Sequence, residues 1–109
     1  MIINVAYDAD NQALYIGQNG TFLNSGDPTS GSSKTGALVT NLYPRYGGTI
    51  VPFVGSGSNS VAQSTSANFG SPPYSISSGN ADANGFGNFE YTVPSGYFSL
   101  CTKNLAESG

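Results

Sequence analysis

The sequence predicts an all-β, antiparallel fold with almost no helix, and three observations carry the prediction. Ile3, Val5 and Tyr7 alternate with Asn4, Ala6 and Asp8, and Leu14 and Ile16 alternate with Tyr15 and Gly17, the period-2 pattern of half-buried strands. Two turn signals punctuate these runs: Asp10-Asn11, then Asn19-Gly20, a pair that accepts positive φ at both centres of a type I′ hairpin turn. Only 8% of the 109 residues are charged, while 15 are glycine and Ser, Asn and Thr abound. That composition is poor in helix formers and rich in residues that favour turns or a pleated surface.

Taken in order, Ile2 to Asn24 reads as a three-stranded meander, with Thr21-Phe22-Leu23-Asn24 as its third strand. Its apolar face, Ile3, Val5, Tyr7, Leu14 and Ile16, requires cover from the rest of the chain. Ser25 to Thr40 reads as a long polar loop opened by the Gly26-Asp27-Pro28 turn, with Leu38, Val39, Leu42 and Tyr43 anchoring its end on the core. Tyr43 to Gly48 is a further turn, and Thr49 to Gly55 a short apolar strand that Pro52 confines to an edge or a bulge. Ser60 to Phe69 continues as a strand of small residues. Gly70 to Gly87, with no sustained periodicity over Ser77 to Asn84, forms a second long loop containing a mobile tip. Asn88 to Val93 returns to alternation, Pro94-Ser95-Gly96 turns the chain, and Tyr97 to Thr102 is a last apolar segment before a polar tail.

Length and charge bound the function. A chain of 109 residues with 38% hydrophobic content supports one domain over residues 1–109 and a modest core. With three cations, Lys34, Arg45 and Lys103, against six acidic residues, nothing neutralises a phosphate backbone, so no nucleic-acid partner is expected. No run reaches membrane-spanning length and no basic amphipathic helix appears, so no membrane insertion is expected. Met-Ile-Ile-Asn at the start lacks the charged and apolar regions of a signal peptide. Cys101, the single cysteine, has no partner for an internal disulfide.

Four features in sequence order resemble the C-terminal two-thirds of a SPRY (B30.2-like) domain. They are the INVAYDADNQALYIGQNGTF hairpin, then NLYP at 41–44, then Asn68-Phe69-Gly70 followed by Pro72-Pro73-Tyr74, and finally Val93-Pro94-Ser95-Gly96-Tyr97. The closing segment from Gly96 to Leu105 and the Gly26-Asp27-Pro28 loop are more similar to SPRY-like segments of bacteriophage structural proteins. The resemblance implies a bent, jelly-roll-like β-sandwich of two antiparallel sheets, used as a binding module whose specificity lies in its loops. Two departures stand out. The family's N-terminal strands are lacking, and the stretch from Ser71 to Asn88 is longer than its counterpart. If the chain is complete, the sandwich is truncated, with a sheet edge or apolar face to be closed by another protomer or protein; if it is a fragment, its partner strands lie elsewhere.

The absence of histidine removes Ser-His-Asp, Cys-His and His-metal chemistry together. GDPTSGSSKT at 26–35 has a superficial likeness to a phosphate-binding loop, but Lys34 does not follow the glycine directly and no helix follows. Lys34-Thr35-Gly36 lacks the Ser-x-x-Lys partner of a β-lactamase signature. Asp8 and Asp10 have two readings, a Ca²⁺ ligand pair or a plain Asx turn, and the turn is the expected one. No cofactor or metal is expected. Asp27 and Glu90 carry no spacing that pairs them as acid and base, so only a depolymerase-type carboxylate site at one of them would make the chain an enzyme. Cys101, within an apolar run, reads as a small buried hydrophobe.

Most of the seven tyrosines and six phenylalanines are needed for the core. Those beside turns, Tyr43, Tyr46, Tyr74, Phe86 and Tyr97, are platforms for sugar stacking or protein contact. The expected binding set is Asp27, Tyr43, Arg45, Tyr46, Tyr74 and Phe86, on the loops 25–40, 43–48 and 71–87. Low charge with much Ser, Asn, Gly and Thr is the composition of viral shell, fibre and adhesin proteins. The expectation is a non-catalytic module on a phage or phage-like virion, serving in a tail fibre, capsid decoration or host attachment through a host-surface glycan or protein. The alternative is a purely structural subunit completed by other virion proteins or by copies of itself.

Overall fold

The structure is a computed structural model and describes residues 2–40, 65–101 and 104. It is all-β in character. Four strands, β1 (Ile3–Asp8), β2 (Ala13–Gln18), β3 (Thr21–Phe22) and β4 (Val39–Thr40), form one antiparallel sheet. Helix among the described residues amounts to two 3-10 turns, Leu23–Ser25 and Gly31–Ser33, and the helical Asn104. β2 is central. On one side it pairs with β1 in the register Val5↔Ile16 and Tyr7↔Leu14, and on the other with β3 near its end and β4 near its start.

The turns follow the local chemistry. Asn19 and Gly20 both take positive φ, 51° and 87°, and close β2 onto β3 through Gln18↔Thr21, as a type I′ turn requires. Asn4 Oδ1 accepts the Gly20 N–H at 2.8 Å, and Asn19 Oδ1 accepts the Ile2 N–H at 2.9 Å, so the tip is stitched to the neighbouring strand. Between β1 and β2, the Asp8 carboxylate accepts the Asn11 N–H and side-chain amide at 3.2 and 2.8 Å. The Asx turn is what Asp8 builds.

The sheet buries the face opposite to the one its hydrophobic alternation selects. Ile3, Val5, Tyr7, Leu14 and Ile16 do share a face, but Ile3 and Val5 are 53% and 66% exposed. The core is Ala6, Ala13 and Tyr15, packed against Phe22, Ala37 and Tyr97. The reason is steric. Ala6, Ala13 and Gly17 leave a shallow floor beside Tyr15, which is buried with no residual exposure. Two hydroxyls then hold the cover in place: Tyr97 Oη donates to the Pro28 carbonyl at 2.6 Å, and Tyr15 Oη lies 3.3 Å from Ser30 Oγ.

Other expected elements are shorter. The third strand stops at Phe22, because Asn24 and Ser25 take φ of 59° and 52° and the chain turns into 3-10 geometry. Asn88 to Val93 is not a strand; Phe89 forms a single bridge with Asn80 and the chain bends on either side. Thr65 to Phe69 is irregular, and the remainder of the expected strand from Ser60 lies outside the described residues, as do Leu42 to Gly48 and Thr49 to Gly55. Within the stretch that lacks periodicity, Asn80 is bonded through its backbone to Phe89 and through its amide to Phe89 and Glu90 carbonyls. Side chains, rather than ladders, organise residues 65–101.

Candidate functional site

Three surfaces stand out, each built by a different local device. The first is the loop from Gly26 to Gly36, whose ends meet: Asp27 N–H donates to the Thr35 carbonyl at 2.9 Å, and a Cβ on Gly36, at φ 69°, would collide with the Gly26 backbone. Only glycine permits that closure. Inside, Ser30 Oγ donates to the Asp27 carbonyl at 2.7 Å and accepts the Thr35 N–H at 2.9 Å. The result is a compact Ω-type loop filled by its own side chains. Asp27 Oδ1 accepts both the Thr29 hydroxyl, at 2.6 Å, and the Thr29 N–H, at 2.9 Å. Those two bonds, the hydroxyl first, hold the Asp27 carboxyl below the ordinary carboxylate range. Tyr97, under the loop, has its phenol pushed up to about 12, chiefly by burial and then by the nearby Asp8, Tyr15 and Asp27.

The second is a brace around Asp82. Its Oδ1 accepts the N–H groups of Asn84 and Phe86 at 2.9 and 3.0 Å; its Oδ2 accepts the Ser99 N–H and the Asn104 amide, both at 2.8 Å. Asn104 completes the node by donating to the Ser99 carbonyl at 2.8 Å and accepting the Asn84 amide at 2.7 Å. Asp82, Ser99 and Asn104 are all buried. Burial alone would raise the Asp82 pKa, yet the bonds from Ser99, Asn104 and Phe86 outweigh it and the carboxyl sits far below its usual range. A carboxylate with four donors already on it is a structural acceptor, unavailable as a base. Beside this node lies a cleft of about 440 Å³ between Phe69, Phe86, Gly87 and the half-buried Cys101.

The third lies along the β1 strand. A groove of about 1880 Å³ runs along β1 and is bordered by every residue from Ile2 to Asp10. Ile3, Val5, Phe69, Phe98 and Leu100, all exposed, border it as well.

The expected binding residues do not converge. Asp27 stands on the Ω-type loop, Tyr74 on the groove, and Phe86 in the cleft, while Tyr43, Arg45 and Tyr46 lie outside the described residues. Glu90, the other carboxylate weighed for chemistry, accepts the Ser77 N–H at 2.8 Å. Asp82 escapes a reading by hydrophobic periodicity, although Asp82-Ala83-Asn84-Gly85 is an Asx-turn signature. Among the described residues no three His, Cys, Asp or Glu side chains come together to hold a metal ion, and no helix is long and apolar enough to cross a membrane.

No family model, curated protein or solved structure matches the chain. The SPRY-like likeness is carried by the four sequence motifs alone.

Proposed function

We propose that the chain is a non-catalytic structural module of a phage-like particle, in the manner of a fibre or capsid-decorating subunit, and that it works by having neighbouring protein cover the open side of its sheet. One observation carries this reading: Ile3 and Val5 are exposed on one face of β1, and Phe98 and Leu100 border the same groove at 48% and 61% exposure. A monomer gains nothing from apolar side chains gathered at one groove, whereas a subunit buries them on assembly. The SPRY-like motifs support a sandwich completed by such packing. With only 8% charged residues, association by this surface is expected to be insensitive to salt. Light scattering from about 10 μM to 1 mM protein, in low and in molar salt, tests it. Concentration-dependent assembly that persists in molar salt is the expected result; a folded chain that stays monomeric throughout overturns it.

A second reading has its own support. The Gly26–Gly36 loop is held rigid by Ser30, Asp27 and Tyr97, and a preorganised loop loses little entropy on binding. In this reading the loops 25–40, 43–48 and 71–87 recognise a host-surface glycan or protein from the virion surface. Alanine at Asp27, Tyr74 and Phe86 would then abolish attachment while assembly persists; attachment that survives all three changes removes it.

A further inference from the structure

The β1 strand offers more than an apolar face. In the β1–β2 ladder, Asn19 N–H donates to the Ile2 carbonyl at 2.8 Å, which makes Ile2↔Asn19 a hydrogen-bonded pair. Antiparallel pairs alternate, so Asn4↔Gly17, Ala6↔Tyr15 and Asp8↔Ala13 are hydrogen-bonded as well. The far side of β2 agrees, since the Leu14 carbonyl accepts the Leu38 N–H at 2.9 Å on the β4 side. It follows that the N–H and C=O groups of Ile3, Val5 and Tyr7 point away from β2, at the outer edge of the sheet. Among the described residues nothing bonds to them. The groove runs along the whole strand, with residues of 65–69 and 89–100 on its border as well. The edge also lacks the usual guards, because Ile3–Asp8 contains no lysine, no proline and no bulge.

We infer that the β1 edge pairs with β1 of a second copy of this chain, antiparallel and centred on Val5. This rests on the assembly reading above and names its partner. The register follows from the three outward residues. Val5 opposite Val5 of the partner copy puts Ile3 opposite the partner's Tyr7 and Tyr7 opposite the partner's Ile3. All three outward positions are then used, for about six backbone hydrogen bonds. Moving the register by two residues in either direction strands one of them. The side chains agree with the backbone. Val5 meets valine, and each Tyr7 meets a β-branched isoleucine, a favourable cross-strand pair.

Charge does not oppose this partner. Asp8 is the only charged side chain of the strand, and in this register it lies opposite Ile2 of the other copy. The two Asp8 carboxylates are then about 20 Å apart along the strands, more than twice the Debye length of about 8 Å at physiological salt. Two identical strands meet here without a like-charge contact. The product is a continuous eight-stranded sheet in the order β3/β4, β2, β1 and then its mirror sequence, with the two exposed apolar faces merged into one.

The test uses the full chain. Val5→Lys, at a position 66% exposed, puts two ammonium groups across the two-fold axis; it is expected to leave the far-UV circular dichroism unchanged and weaken the dimer about fivefold or more. Val5→Cys in a Cys101→Ser background is expected to form an intermolecular disulfide on mild oxidation, because opposed Cα atoms of a hydrogen-bonded pair are about 5.5 Å apart. Tyr7→Cys in the same background should not crosslink alone, but should do so when mixed with Ile3→Cys. Assembly that survives Val5→Lys, or a Val5→Cys chain that assembles without crosslinking, overturns this pairing and leaves the assembly reading intact. A wild-type monomer at all concentrations overturns both. Slow hydrogen exchange at the Ile3, Val5 and Tyr7 amides of a monomeric species would assign the edge to the chain's own residues and likewise overturn the pairing.

Discussion

Replacing Asp82 by asparagine keeps size and shape but exchanges one acceptor oxygen for an amide that only donates. The native carboxylate serves four donors, two on each oxygen, so either orientation of the new amide leaves two donors facing another donor. If the oxygen stays with Ser99 and Asn104, the N–H groups of Asn84 and Phe86 lose their acceptor. If it turns toward them, the buried Ser99 N–H and Asn104 amide are orphaned instead. Each unsatisfied buried group costs about 1–3 kcal/mol; the part-exposed Asn84 and Phe86 donors can turn to water, so the first orientation wins. The expected loss is about 1–3 kcal/mol, against a total stability of about 5–15 kcal/mol for a domain.

Urea denaturation reads this directly. With a slope of about 1–3 kcal/mol/M, the midpoint should fall by about 1–2 M. Asp82→Ala should cost at least as much, because it orphans the Ser99 and Asn104 donors without offering either an acceptor. A pH series adds a second readout. The Asp82 pKa is lowered in the folded chain, so its contribution is fully present above the unfolded value of about 3.9 and is lost as pH falls through the folded value. Wild type should therefore lose stability on acidification below about pH 4, and Asp82→Asn should flatten that limb. An Asp82→Asn midpoint within about 0.3 M of wild type, equivalent to about 0.5 kcal/mol, would refute the view that this carboxylate holds 82–86 and 99–104 together.

Two further changes probe the Tyr15 face and the hairpin. The Tyr97 phenol is raised in the folded chain to about 12, so its contribution is present below its unfolded value of about 10 and disappears as pH rises through the folded value. Tyr97→Phe should remove a phenol titrating at about 12 from the alkaline absorbance curve and cost about 1 kcal/mol through the lost bond to Pro28; an unchanged titration curve would contradict it. Gly20→Ala puts a Cβ 2.6 Å from Tyr91 Cδ1 at a φ of 87° and should cost about 1–3 kcal/mol in thermal or urea unfolding. A neutral result would mean that the turn and Tyr91 are not packed together.

The meander was legible because its signals are local. Alternation over Ile3–Asp8 and Ala13–Gln18 and the Asn19-Gly20 pair depend on neighbours two to four residues away, and all three appear in the sheet. The buried face was not legible, since period 2 shows which residues lie together and says nothing of which side is covered. That choice depends on contacts such as Tyr97 to Pro28, 69 residues apart in sequence. Residues 65–101 resisted for a related reason. Their order comes from asparagine and aspartate side chains bonding to backbone groups, as Asn68 does to the Asn88 carbonyl at 2.9 Å and Asn80 to Glu90 at 3.1 Å. Such bonds leave no periodic trace, and a Ser/Gly/Asn-rich stretch braced by them reads as a mobile loop.

The same distinction separates the two functional readings. Loop recognition rests on side chains standing beside turns, and the structure distributes Asp27, Tyr74 and Phe86 over three surfaces. Assembly rests on an apolar face in need of cover, and the inverted burial strengthens that need. If the Tyr15 face is closed by the chain's own loop and Tyr97, then Ile3 and Val5 stand exposed outside the core already made, beside the half-buried Tyr7, Leu14 and Ile16. Such side chains on one sheet face invite aggregation unless a defined partner buries them. An edge with one acidic residue and no lysine excludes few partners by charge, so selectivity has to come from register. The two-fold match of Ile3, Val5 and Tyr7 to themselves supplies one.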